Sequence, residues 1–273
     1  MRLSTSLSAI ALAAMACTAA QAADWSADSI GYRYYSGQSE PGTADKVQKN
    51  VLNFTHVSGD KLGSNLFSID YLRSDNADPA NGGGSPASEW YGFYKRTFSI
   101  GAMTGNKGGY GMFKDLGLTG RVDLGAKNTT FAPAPAKVRL GLSADLPVKG
   151  GFWNVGVEAY KETNNNGIVG KAVNFDTALA LSSAWSVPAL GGTFGGYFDM
   201  VGPKGTDGFG AATTTEVQLF ASLMYDLNGP KGGLKAGVGF HMWNNKFGCD
   251  NDKTAVSNSC KSTSPMLLAS YSF

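Results

Sequence analysis

The sequence predicts an all-β protein, a transmembrane antiparallel up-and-down β-barrel of about 12 strands, and three observations predict it. Helical periodicity is nearly absent after residue 23, whereas period-two alternation recurs in segments of about ten residues. Clusters of Gly, Asn, Asp, Ser and Pro separate these segments, and the connections they form alternate between short and long. The 273 residues are 42% hydrophobic, 11% aromatic and only 16% charged, with 37 glycines, which excludes a disordered chain. After the leader no run of 18 apolar residues occurs, so a spanning helix is excluded and a spanning barrel is not.

Residues 1–22 read as a secretory signal peptide. Arg2 supplies the positive start, 7–16 the short apolar stretch and Ala20-Gln21-Ala22 the cleavage site, leaving 23–273 as the barrel. Cys17 offers a lipoprotein alternative, but Ala14-Met15-Ala16 before it lacks a leucine-led pattern. With the leader removed, Cys249 and Cys260 remain as an even pair in a polar stretch, which favours a loop disulfide over a redox centre. A formal charge of +2 is too small for a nucleic-acid partner. His56 and His241 are the only histidines and have no companion at ligand spacing, so neither a metal site nor a cofactor is expected.

The candidate strands, in order, are 28–35, 49–58, 64–73, 89–99, 115–125, 136–145, 152–162, 172–181, 192–201, 214–226, 233–244 and 264–273. Alternation is cleanest in two. Val217, Leu219, Ala221, Leu223 and Tyr225 share one face, opposite Glu216, Gln218, Phe220, Ser222 and Met224. Val138, Leu140 and Leu142 alternate with Lys137, Arg139, Ser143 and Asp145, a polar face too charged for a dry core and suited to a wet lumen. Short turns fall at 59–63, 146–151 and 227–232; longer polar loops fall at 36–48, 74–88, 126–135, 163–171, 202–213 and 245–263. The stretch 101–114 is long where a short turn is expected. The last strand puts Leu267, Ala269, Tyr271 and Phe273 toward outer-membrane lipid, and its terminal aromatic resembles the sorting signal read by the barrel insertion machinery.

Several stretches together resemble the nucleoside-specific, Tsx-type outer-membrane channel family: "NFTHVSGDKLGSNLFSIDYL" from Asn53, "GMFKDLGL" from Gly111, "GFHMWNNKFG" from Gly239 and the final "SYSF". They are spread over the mature chain. The resemblance implies a monomeric, twelve-stranded Gram-negative outer-membrane barrel with a narrow lumen of aromatic and ionisable residues that passes nucleosides. The short, glycine-rich loops and the cysteine pair depart from that pattern and leave open any use of the loops by phage or toxins.

If apolar alternation marks the outside, the lumen-facing candidates for solute binding are Arg33, Tyr35, Asp70, Glu89, Tyr91, Phe93, Lys95, Arg121, Asp123, Arg139, Glu158, Tyr160, Asp176, Tyr197, Asp199, Glu216 and Phe220, with Lys235 beside them. Their charges are mixed in sign, unlike a strongly ion-selective ring. Tyr91 and Phe93 offer flat faces on which a nucleobase could stack, or they simply fill a narrow barrel. Trp25, Trp90, Trp153, Trp185 and Trp243 fall near strand ends, where an interfacial girdle is expected. A lipid-modifying barrel enzyme, a less specific porin and a soluble ligand-binding barrel are the competing readings. The first is disfavoured because no acid, base and nucleophile stand together in the sequence, with His241 expected at the outer rim.

Overall fold

A computed structural model describes residues 23–229 and 233–273. The signal peptide, Cys17 and part of the 227–232 turn lie outside the described residues. The chain runs β1 (Trp25–Gln38), β2 (Val47–Asp60), β3 (Gly63–Ser74), β4 (Ser88–Ser99), α1 (Ile100–Thr104), β5 (Asp115–Lys127), β6 (Ala136–Asp145), β7 (Phe152–Asn166), β8 (Lys171–Asn174), β9 (Ala178–Ala189), β10 (Gly192–Val201), β11 (Glu216–Asp226), β12 (Leu234–Asn244) and β13 (Ser262–Ser272). Every strand pairs antiparallel with its sequence neighbour, except that β9 pairs with β7, and β1 pairs with β13. The sheet therefore closes into a 12-strand barrel with no free edge, while β8 is a short flap on the loop end of β7.

One expected strand is corrected here. The segment 172–181 divides: 171–174 turns back on β7, and the wall strand begins at Ala178 and continues to Ala189. Asn, Gly and a polar link in 163–177 favour this hairpin extension over a continuous wall strand. The long turn after β4 contains α1, whose first turn is capped by Ser99 accepting from the Ala102 amide and whose end is released by Gly105 at φ 72°.

The two faces follow the alternation. Ile30, Tyr32, Leu52, Ile69, Leu118, Leu140, Leu142, Val157, Leu179, Val238, Leu267 and Tyr271 are exposed on the outside, forming an apolar coat around the cylinder. Among the described residues no helix is long and apolar enough to cross a membrane. Trp25 and Trp153 stand on the exterior, and Trp185 lies against it between Trp153 and Phe194 at ring distances of 5.9 and 5.8 Å. Trp243 departs from the girdle expectation: it faces inward, where its indole N–H donates to Glu216 Oε1 at 2.8 Å. Cys249 and Cys260 are joined, with Cα atoms 5.9 Å apart.

Candidate functional site

The inner wall is built in three levels, which the strand register aligns. At the turn end, Ser64, Thr97, Ser99, Asp115, Ser143 and Asp145 line a cavity of about 200 Å³. Above it lies a belt of paired charges. Lys95, Arg121 and Arg139 are direct cross-strand partners on β4, β5 and β6, three cations side by side. Like charges opposite one another are destabilising, so each arginine is answered. Arg121 donates through Nε and Nη2 to both oxygens of Asp123 at 2.7 Å, and Arg139 forks onto both oxygens of Asp199 at 2.6 Å.

The Arg139–Asp199 pair is a chord. It runs from β6 to β10 across the intervening β7 and β9, and it has room because β9 presents small residues inward at this level, Ala178, Ala180, Ser182 and Ala184. Tyr160 uses the same room: it is 1% exposed, packs with Ala178, Ala180 and Val201, and carries the Arg139 guanidinium 4.9 Å from its ring centroid.

Most of the expected lumen residues do face inward. Arg33 is ion-paired to Asp70, Tyr91 donates to Asp123 Oδ2, and Phe93 lies 4.0 Å beneath the Arg121 guanidinium. Glu89 meets Lys49 at 3.3 Å, Glu158 meets Arg139 at 3.5 Å, Tyr160 donates to Glu162 at 2.6 Å, and Glu216 takes the Trp243 N–H. No ion pair forms at Lys95 among the described residues. Lys235 pairs with Asp226 at 3.5 Å near the turn end. Asp176 does not belong to the lumen: because the wall strand starts two residues later, it falls in the exposed link before β9, next to Gly205.

Across from the charged belt is a stripe of different character. Tyr197 and Phe220 stack with centroids 5.4 Å apart and planes 1° from parallel. Phe220 and Met224 pack against an inward-facing apolar patch of Tyr35, Val51, Met266 and Leu268, while Arg33 stands 5.8 Å over the Phe220 ring. Next to Phe220, His241 is buried between Gln38 and Gln218 toward the loop end, its ring nitrogens 3.0 and 2.8 Å from their amides. Alternation in β11 and β12 marks Gln218 and His241 as inward. The apolar patch was missed because it reverses the rule that inward residues are polar. A further pair not expected from sequence is His56 with Asp28, 2.8 Å apart on facing strands.

At the loop end the lumen is crossed by buried ion pairs. Lys204, after β10, is paired with Glu162 on β7 and sits 4.4 Å from the Phe175 ring centroid. Glu40, from the β1–β2 connection, meets Lys49, Lys127 and Lys246.

A closed antiparallel cylinder, apolar outside and lined by mixed charge and rings inside, defines the class: a transmembrane-type β-barrel with a narrow, side-chain-filled lumen. Among solved structures the chain is similar to the translocator domain of the autotransporter NalP from Neisseria meningitidis, with TM-score 0.49 and 11% identity over 98% of this chain and 96% of that one. It is also similar to the beta domain of the Bordetella autotransporter BrkA (TM-score 0.41, 10% identity, 92% and 99% covered) and to Pseudomonas aeruginosa OccK9, also called OpdG (TM-score 0.30, 10% identity, 92% and 99% covered). No protein-family model matches the chain, and no curated protein matches it.

Proposed function

We propose that the protein is a passive outer-membrane channel for nucleosides or similar small aromatic solutes. Closure without an edge and an apolar exterior support residence in a lipid bilayer, since each wall strand is hydrogen-bonded to a neighbour on both sides. The observation that carries the solute class is the stripe on β10 and β11, where the stacked Tyr197–Phe220 pair continues into Tyr35, Met266 and Leu268 and faces a belt of arginines and carboxylates. A nucleobase has a flat face for such a stripe, worth about 1–3 kcal/mol per stacked base, and its ribose hydroxyls and ring edges suit the charged wall. The resemblance of "GMFKD" and the other segments to nucleoside channels supports the same reading.

Neither a covalent step nor an energy source is needed, because weak sites in series let solute enter and leave. The test is conductance of the purified chain in a planar bilayer. Adenosine or thymidine reduces the current at concentrations where glucose does not; an ohmic pore indifferent to nucleosides refutes the solute assignment.

A further inference from the structure

On the loop side the connection between β1 and β2 turns inward and buries Ser39 and Glu40. Ser39 is fastened to the wall, its amide donating to Ser262 Oγ at 3.1 Å and its hydroxyl to the Lys261 carbonyl at 2.5 Å. Beyond this anchor the Glu40 carboxylate meets three ammonium groups: Lys49 at 2.6 Å and Lys246 at 2.9 Å on Oε1, and Lys127 at 3.1 Å on Oε2. The three lysines come from β2, from β5 and from the turn Lys246–Gly248 after β12, so one loop side chain ties together three separated parts of the rim. Their side chains are 5%, 8% and 3% exposed.

Among the described residues, other carboxylates answer only two of them. Lys127 also has Asp78 at 2.7 Å, and Lys49 has Glu89 at 3.3 Å. Among the described residues Lys246 has no carboxylate but Glu40, and its other acceptor is the Ser39 carbonyl of the same inturned segment. Without Glu40, three buried ammonium groups face two carboxylates, an uncompensated positive charge that demands an anion. Burial works against ionisation of Glu40, yet Lys246, Lys49 and Lys127 hold its carboxyl well below the usual range, so the occupant is an anion. The outer part of the connection faces open space: Gly42, at φ 81°, has nothing within 4 Å of where a Cβ would stand.

We propose that the seat formed by Lys49, Lys127 and Lys246 is a binding site for carboxylate-bearing solutes at the loop-side mouth, with Glu40 as its built-in occupant and the latch that closes the lumen. A solute carboxylate replaces the Glu40 carboxylate on the same three donors, the inturned segment leaves, and the mouth opens. The latch function rests on the channel reading; the site does not depend on nucleosides.

The experiment removes the occupant and supplies it in solution. With the full mature chain in detergent, Glu40→Ala binds propionate saturably by calorimetry, the wild type takes up at least tenfold less, and Glu40→Ala/Lys246→Met loses the binding. In a planar bilayer Glu40→Ala conducts several-fold more than the wild type, and propionate lowers that current where chloride at equal ionic strength does not. Glu40→Gln, which keeps the shape and removes the charge, shows the same rise. Propionate uptake indifferent to Lys246→Met, or a conducting wild type whose current the Glu40 variants do not exceed, overturns the proposal. Failure of both Glu40 variants to form the folded barrel overturns it too, by making the cluster a folding element. Saturable propionate binding with no conductance in any variant would refute the channel and leave the site standing.

Discussion

Arg139 shows at the scale of one residue what a narrow lumen demands. Its guanidinium is 3% exposed and held by two bonds of 2.6 Å to Asp199, so removing that partner leaves a buried charge with only Glu158 at 3.5 Å. Asp199→Ala is expected to lower unfolding stability by about 3 kcal/mol, measured by denaturant titration, because breaking a buried pair costs more than deleting both members. Replacing both ends with apolar groups, Arg139→Met with Asp199→Leu, is expected to cost less than the single change. Phe220→Ala, which takes away one ring of the stacked pair, should weaken nucleoside block about tenfold and leave the current without nucleoside equal or larger. These inward positions were legible because a strand exposes alternate side chains, and one apolar row fixes the other row. Asp176 was not, since its direction depends on where β9 begins. Nor was Glu40 legible as an interior residue: loop polarity reads as solvation, and only the closed rim brings three lysines onto one carboxylate.

Among the elements, the inturned β1–β2 connection carries a pH dependence whose sign follows from its own charges. Glu40 is depressed, so its contribution is present above the ordinary glutamate range and is lost only as pH falls through a much lower folded value. Lys246 is shifted the other way for a base. Burial lowers it, Glu40 raises it, and Lys49 and Lys127 lower it again, so its proton leaves below the ordinary lysine value as pH rises. With Asp78 and Glu89 as the other facing groups, conductance is expected to stay low from neutral pH down to about pH 4 and to rise on the alkaline side as Lys246 discharges. A single-channel pH series measures this; a current that opens on acidification through the ordinary glutamate range contradicts it. In the wall, β6 approaches β7 closely at Gly141, where a Cβ would stand 2.1 Å from the Val157 carbonyl oxygen and 2.6 Å from Glu158 Cα. Gly141→Ala should therefore prevent or distort the β6–β7 pairing, read as loss of the compact, heat-modifiable band on electrophoresis. Strand order and inside–outside sense were legible in the segments 136–145 and 214–226, whose alternation is uninterrupted. The β8 flap was not, because 172–181 reads as one run across the polar link, and only pairing partners tell a flap from a wall.

For the molecule as a whole, stability comes from a closed ladder in which each of the 12 wall strands has two neighbours, not from the covalent link at its rim. The bond between Cys249 and Cys260 spans a sequence separation of 11 and constrains the unfolded chain by about 3 kcal/mol at most. Reduction should leave the barrel assembled by circular dichroism and electrophoretic mobility, while loosening the β12–β13 connection. Lys246 belongs to that connection, with its amide bonded to the Cys260 carbonyl at 2.9 Å, so limited proteolysis of the reduced protein is expected to cut there first.

The row of alanine and serine along the inside of β9 reaches beyond physiology. It is a blank panel in a single-chain tube: the bore there is set by one removable strut, Arg139 to Asp199, and by a tyrosine leaning on small neighbours. Trimming the strut and writing new side chains onto the panel would resize the aperture without disturbing the hoop of backbone pairs. A protein of this size would then serve as an adjustable nanopore for single-molecule sensing.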